Sequence, residues 1–243
     1  MSVMTRLSLA AIVASTACVA SASADLVVGW TMPTAFPTGT GNVPTGTSYI
    51  PPMATGAPAG QADLGSNATG SQLSASHLLA AATYTSPAGN GNLYSFSSNN
   101  WSANDYYEAR FSTVGAGTSG LSVSWDQTRS ATGPSVFDLV MSVNGGASWT
   151  TLSAGYTVLQ SGGGGAPGTW STTSYNSIYT FNVSLGASAD ERSLVILRWV
   201  STQTTAAAGS NRIDSIYVNT AVPAPGAVAL LGVAGLAARR RRR

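Results

Sequence analysis

The chain has 243 residues, with 11 arginines, no lysine, nine acidic residues and a formal charge of +2, and only 8% of its residues are charged. Without lysine there is no Schiff-base chemistry, no P-loop lysine and no lysine-to-asparagine isopeptide staple. One cysteine and one histidine leave no pair for a disulfide and too few soft ligands for a zinc site.

In chain order, residues 1–6 form a short basic leader, 7–19 an apolar run, and Ala22-Ser23-Ala24 an A-x-A cleavage site. Together they read as a secretory signal peptide over residues 1–24, helical in its apolar part. Cys18 invites a lipoprotein reading, but Ser15 stands where that motif wants an aliphatic residue. Cleavage after Ala24 removes the only cysteine. The body, residues 25–221, then carries five arginines against nine acids, a formal charge of −4. The positive net charge therefore belongs to the ends of the chain, and nucleic-acid binding loses its electrostatic footing.

The body is long enough for one substantial core. Its apolar residues come in short alternating runs bounded by Gly, Pro, Asn and Ser, the signature of strands. Residues 26–30 read as a first strand, and 31–62 as irregular structure with one short strand near 48–50. Residues 74–84 fit either a helical turn or a strand. Further strands fall at 93–97 and at 105–113, where Tyr107, Ala109 and Phe111 alternate with Tyr106, Glu108 and Arg110. Leu121, Val123 and Trp125 alternate before a turn at Thr132-Gly133-Pro134, and Phe137, Leu139, Met141 and Val143 alternate after it. Asn144-Gly145 signals a tight hairpin into a strand through Trp149 and Leu152. The glycine run near 161–168 has no following Lys-Ser/Thr and reads as a loop, not a phosphate cradle. Residues 178–185 alternate again. Residues 194–200 are almost continuously apolar, as a central strand should be, and Arg198 within them needs a partner such as a carboxylate. In the last strand, 211–219, strict alternation sets Ile213, Ser215 and Tyr217 opposite Asp214, Ile216 and Val218. These elements predict an all-β, two-sheet antiparallel β-sandwich as a single extracellular domain.

Few residues qualify for chemistry. His77 would have to serve any Ser-His-Asp triad, yet no G-x-S-x-G elbow accompanies it. Paired carboxylates, Glu108 with Asp126 or Asp138, are the candidates for glycoside hydrolysis. Asp126 and Asp214 are candidate ligands for a structural calcium ion. Of the six tryptophans, Trp125 and Trp199 sit in alternating strands and read as core. Trp101 and Trp170 lie among polar residues, where a ring could face solvent and stack on a sugar.

Val222, Pro223, Ala224, Pro225 and Gly226 hold the chain extended ahead of the tail. The thirteen residues 226–238 carry no polar side chain. As a helix they would span about 20 Å, short of a bilayer core of about 30 Å. Arg239, Arg240, Arg241, Arg242 and Arg243 follow at once and resist translocation, which makes a stop-transfer signal with the body outside.

This tail resembles the PEP-CTERM sorting domain, which exosortase-type transpeptidases recognise in Gram-negative bacteria that make extracellular polysaccharide. The glutamate usual between the two prolines is Ala224 here. Within the body, the run from Trp125 to Leu139, closed by residues 142–149, resembles sandwich domains of secreted PEP-CTERM proteins and of modules that precede secreted nucleases. The stretch Arg212-Ile213-Asp214-Ser215-Ile216-Tyr217-Val218 resembles the final strand of galactose-binding-like and carbohydrate-binding jelly rolls. The resemblances imply a jelly-roll body, transient inner-membrane association after export, and processing by an exosortase-like enzyme at residues 222–226. The expected function is that of a cell-surface or matrix protein in contact with extracellular polysaccharide. The alternative is a small secreted hydrolase on the same sandwich.

Overall fold

The computed structural model describes residues 24–36, 48–53, 55–117, 120–162 and 168–221. The stretches expected to be a signal peptide (1–24, apart from Ala24) and a sorting signal (222–243) lie outside the described residues. The strands are β1 (Leu26–Trp30), β2 (Ser48–Tyr49), β3 (Gln72–Ser76), β4 (Tyr84–Thr85), β5 (Phe96–Asn99) and β6 (Tyr106–Phe111). They continue as β7 (Leu121–Arg129), β8 (Val136–Ser142), β9 (Thr150–Thr157), β10 (Thr180–Ser184), β11 (Val195–Ser201) and β12 (Ser210–Thr220). Short 3-10 turns at Ser177–Tyr179 and Ala187–Ala189 are the only helical elements among the described residues. None is long and apolar enough to cross a membrane.

The strands form two six-stranded sheets. The first runs β10-β7-β12-β5-β4, with β1 also paired to β12; the second runs β2-β3-β6-β11-β8-β9. All these pairings are antiparallel. Alternation decides which side each strand buries. In β6 it turns Tyr107, Ala109 and Phe111 inward, and in β7 Leu121, Val123 and Trp125. The two inner faces meet through aromatic rings: Trp125 on Trp199 at 5.8 Å between centroids, Phe96 on Tyr107 at 5.2 Å and Trp30 on Phe111 at 6.4 Å.

Several polar side chains inside this core bond to one another. Gln127 Oε1 accepts from Trp125 Nε1 (3.0 Å) and from the Tyr156 hydroxyl (2.7 Å), and Gln127 Nε2 donates to Asn211 Oδ1 (2.9 Å). Tyr107 OH donates to the Asn211 carbonyl (2.8 Å). Tyr156 and Tyr107 belong to the second sheet and Gln127 and Asn211 to the first, so these bonds fix one sheet against the other.

Three expectations change in detail. The ambiguous stretch 74–84 is extended at both ends, in β3 and β4, because Ala75 and Tyr84 are buried between the sheets. The hairpin at Asn144-Gly145 exists, but its loop spans residues 143–149, and positive φ falls on Gly145 and Gly146, not on Asn144. The Asn144 side chain instead accepts from Ser142 Oγ (2.8 Å) and Ser148 N (3.0 Å), which closes a wider loop. In β12 the alternation breaks. Between Asp214 and Tyr217 two residues of β12, Ser215 and Ile216, stand against one of β7, Trp125, a bulge with Ser215 at φ 49°. Ile213, Ile216 and Val218 are therefore all buried, while Asp214 and Tyr217 share the opposite face.

Phe137 is fully buried, with Trp101 at 5.4 Å and Tyr156 at 6.1 Å between ring centroids. Phe137→Ala should cost about 3 to 5 kcal/mol through lost transfer and a residual cavity. Chemical denaturation checks this, and a loss below about 1 kcal/mol would remove Phe137 from the core.

Candidate functional site

The bulge in β12 builds the most distinctive site in the body. Asp214 lies directly opposite Asp126 in the ladder, and Asp126 lies opposite Thr180 of β10, so one row on the outer face of the first sheet reads Thr180, Asp126, Asp214. The next row reads Asn182, Ser124, Tyr217. Two carboxylates placed side by side on a ladder repel each other. Both are nonetheless buried, because the segment 86–95 folds over them. Asp214 Oδ2 accepts from Asn90 N (2.8 Å) and Oδ1 from Ser215 N (2.7 Å). A Cβ at Gly89 would collide with Asp214 Oδ2 and the Tyr94 carbonyl, so only glycine lets the covering chain come this close.

Asp126 is held differently. Its Oδ1 accepts from Thr180 Oγ1, which in turn receives the Tyr175 hydroxyl at 2.7 Å, while Oδ2 is buried with no hydrogen-bond partner. Burial pushes the Asp126 carboxyl upward against the opposing pull of Thr180 and Asn90. Burial likewise pushes Asp214 up to about 7; the donors of Asn90 and Ser215 oppose the rise and the Asp126 charge adds to it. Above the pair opens a pocket of about 330 Å³ lined by Asn90, Gly91, Asn92, Ser124, Asp126, Tyr175, Thr180, Ser215 and Tyr217. Its wall is pinned by Trp170, whose Nε1 donates to the Ala88 carbonyl (2.6 Å), and by Asn90 and Asn176, which bond reciprocally at 3.0 Å.

Asp126 and Asp214, the candidate calcium ligands, do stand side by side, and the orphaned Asp126 Oδ2 is a buried acceptor in need of a partner. The rest of the donor set does not suit a hard cation: both Asp214 oxygens accept N–H groups, Ser215 Oγ receives the Asn92 amide, Thr180 Oγ1 donates to Asp126, and no group of three or more His, Cys, Asp or Glu side chains gathers among the described residues. The outer part of the pocket offers amides, hydroxyls and two tyrosines, the polar and aromatic mixture that a sugar ring requires.

Other expected residues go elsewhere. Trp101 is 0% exposed; its ring packs on His77 at 4.4 Å and its Nε1 donates to the Ser98 carbonyl (3.0 Å), so it offers no face to a ligand. Trp170 is 9% exposed and serves as the loop pin rather than as a platform. The Trp101 ring belongs to the core, and the Trp170 ring packs edge-on against Tyr179 at 5.3 Å. Glu108 and Asp126 point from opposite sheets, and Glu108 and Asp138 stand on β6 and β8 with β11 between them, about 10 Å or more apart. Neither pair frames one scissile bond.

His77 does meet a serine and an aspartate. Its Nε2 is 3.1 Å from Ser98 Oγ and its Nδ1 3.2 Å from Asp105 Oδ2. However, Ser98 is buried and donates its proton to the Tyr107 hydroxyl (3.2 Å), the reverse of what a general base needs. The cluster ties β5, β6 and the end of β3 together. Sequence reasoning missed Asn90, Asn92, Thr180 and Tyr175; the Pro/Gly/Asn-rich stretch at 87–92 was the available signal, because such a segment packs closely on what it covers.

No family model matches the chain, and no curated protein does. Several solved structures are similar to it, three of which follow. The CBM22-1 xylan-binding domain of Paenibacillus barcinonensis Xyn10C is 11% identical over 84% of this chain and 100% of that domain, with a TM-score of 0.43. The K1 cleaved adhesin domain of Lys-gingipain from Porphyromonas gingivalis W83 is 12% identical over 80% and 98%, with a TM-score of 0.43. A carbohydrate-binding module from the β-sandwich superfamily is 10% identical over 61% and 56%, with a TM-score of 0.37.

The raised Asp214 pKa fixes a pH dependence. The folded carboxyl keeps its proton to about pH 7, whereas the unfolded one releases it near its ordinary value of 3.8. In metal-free buffer the folded state should therefore lose stability as pH rises from about 4 to about 7, by on the order of 4 kcal/mol, and level off above. Urea denaturation across this range should show a steeper loss in the native chain than in Asp214→Asn, where only the raised Asp126 carboxyl still contributes. An identical pH profile in both chains would contradict this assignment.

Proposed function

We propose that this chain is an exported, non-catalytic surface or matrix protein whose jelly-roll-type body binds extracellular polysaccharide and whose tail is a PEP-CTERM-like sorting signal. The observation that carries the binding role is the Asp126 pocket: a buried carboxylate at the floor, asparagine amides and hydroxyls on the walls, and Tyr175, 61% exposed, at the mouth. Carboxylate and amide groups accept and donate to paired sugar hydroxyls, and a tyrosine ring covers the apolar side of the sugar. Gly91 makes this possible locally, because at φ 80° it brings the loop against Tyr175, where a Cβ would press on the Tyr175 Cβ at 3.0 Å and on its Cα and N at 3.1 Å.

Export and sorting rest on the two ends. The leader delivers the body across the inner membrane; the short apolar segment and Arg239 to Arg243 stop the chain there until an exosortase-like enzyme cuts near Val222 to Gly226. Intact mass of the protein recovered outside the cell should show Asp25 as first residue and the arginine cluster absent. Recovery of the arginine tail would replace sorting by a permanent C-terminal anchor.

For the pocket, the expected result is retardation of the purified body in native gels cast with neutral polysaccharides such as xylan, β-glucan or galactomannan. Tyr175→Ala and Asn92→Ala should weaken binding about tenfold, or about 1.4 kcal/mol, with the fold intact by circular dichroism. Unchanged binding in both variants would overturn the pocket as the site, and release of reducing sugar would favour the hydrolase instead.

A further inference from the structure

The outer face of the second sheet carries a separate arrangement of side chains. Arg198 of β11 faces Glu108 of β6 across the ladder, and its Nε donates to Glu108 Oε2 at 2.6 Å. Arg110, two residues along β6, donates its Nε to the other oxygen, Oε1, also at 2.6 Å. One carboxylate, 6% exposed, is thus shared by two guanidinium groups whose side chains are 26% and 41% exposed. The Arg198 guanidinium also lies between two rings, with its central carbon 4.0 Å from the centroid of Tyr106 and 4.3 Å from that of Trp149.

These contacts leave specific valences open. Both arginines spend only Nε on Glu108, and among the described residues their Nη nitrogens make no hydrogen bond. The cluster holds two positive charges and one negative in a body of net charge −4, so it is a local positive site against a negative background. Rotamer freedom of Arg198 is already lost between the rings, which lowers the entropic cost of a further contact. The face continues past Tyr106 into a hollow of about 300 Å³ at the sheet end, lined among others by Ser76, Leu78, Asn104 and Tyr106.

We infer that the Tyr106, Arg198, Trp149 and Arg110 face binds a carboxylate-bearing sugar of an acidic polysaccharide, with the free Nη groups taking the carboxylate and the rings flanking the pyranose. The guanidinium fork matches a carboxylate in geometry and charge, and flat aromatic edges beside it suit a ring more than an isolated ion. The site is on the opposite sheet from the Asp126 pocket and does not depend on it.

The test is affinity electrophoresis of the purified body in polygalacturonate, with methyl-esterified polygalacturonate as the uncharged control. The native chain should be retarded by the acid and not by the ester. Trp149→Ala leaves every charge in place and should reduce retardation at least tenfold, as should Arg110→Gln; both sit at the surface, and circular dichroism confirms their folding. Arg198→Gln strands Glu108 and serves only if it folds. Equal binding of acid and ester, or binding that survives Trp149→Ala and responds to salt alone, would overturn the site and leave only diffuse charge attraction. Tyr175→Ala, which tests the Asp126 pocket, should leave polygalacturonate retardation unchanged, so either site can fail without the other.

Discussion

One strand bears three neighbours, and the first sheet depends on how it does so. β12 is eleven residues long and pairs with β7 along one side, while its other side is divided: Ser210 to Ile213 serve β5 and Ile216 to Asn219 serve β1. A straight strand would hold both on one continuous edge. The bulge at Asp214 and Ser215 falls between the two half-edges, adds local twist and turns β1 away from β5. Ser215 occupies a left-handed conformation that glycine would enter more easily; the Asp214 carboxylate accepting its N–H and the Asn92 amide donating to its hydroxyl (2.7 Å) compensate. The same two residues that let the sheet divide thus place a carboxylate opposite Asp126.

That placement shows what was readable in the sequence and what was not. Strand positions followed from period-two alternation, because burial on one face is a local property of each strand. Arg198 announced its need for a carboxylate, and the partner is Glu108. The bulge left no such mark: Ile213 and Ile216 are three apart, and a strict period of two assigned them to opposite faces when both are buried. Trp101 and Trp170 depart from the expected solvent-facing rings for a related reason. Polar neighbours in sequence describe the loop's own solvent contacts, whereas the Trp101 ring enters the core and the Trp170 ring packs on Tyr179 and bonds the Ala88 carbonyl, and only tertiary contact decides that. The partners of Asp126 lie between about 35 and 90 residues from it in sequence, a separation that no short-range pattern encodes.

The polar groups inside the sandwich do more than avoid a penalty. A body with no disulfide and few ion pairs could slide one sheet over the other while keeping its apolar contacts, since Leu, Val and aromatic faces are tolerant of small shifts. Tyr107 and Tyr156 bonding to Asn211 and Gln127 across the gap permit only one alignment, because any slip strands a buried donor. His77, Ser98 and Asp105 act in the same way at one end of the sandwich. A constellation that resembles catalytic machinery by composition is here a fastening, and the direction of the Ser98 proton distinguishes the two.

The two outer faces are finished differently, and this separates their chemistry. On the first sheet the segments 86–95 and 168–179 close over the ladder, bury two carboxylates and leave a small pocket. On the second sheet the face stays open and is lined by long side chains standing on rigid strands, with Glu108 neutralised by two arginines rather than covered. An enclosed site gains from desolvation and shape; an open one gains from repeated contact along a polymer, where many weak units add up at high local concentration. If both proposed sites take polysaccharide, a closed pocket on one side and an open charged face on the other would let one body join two strands, and loss of either site alone would leave single-strand binding while abolishing the joining.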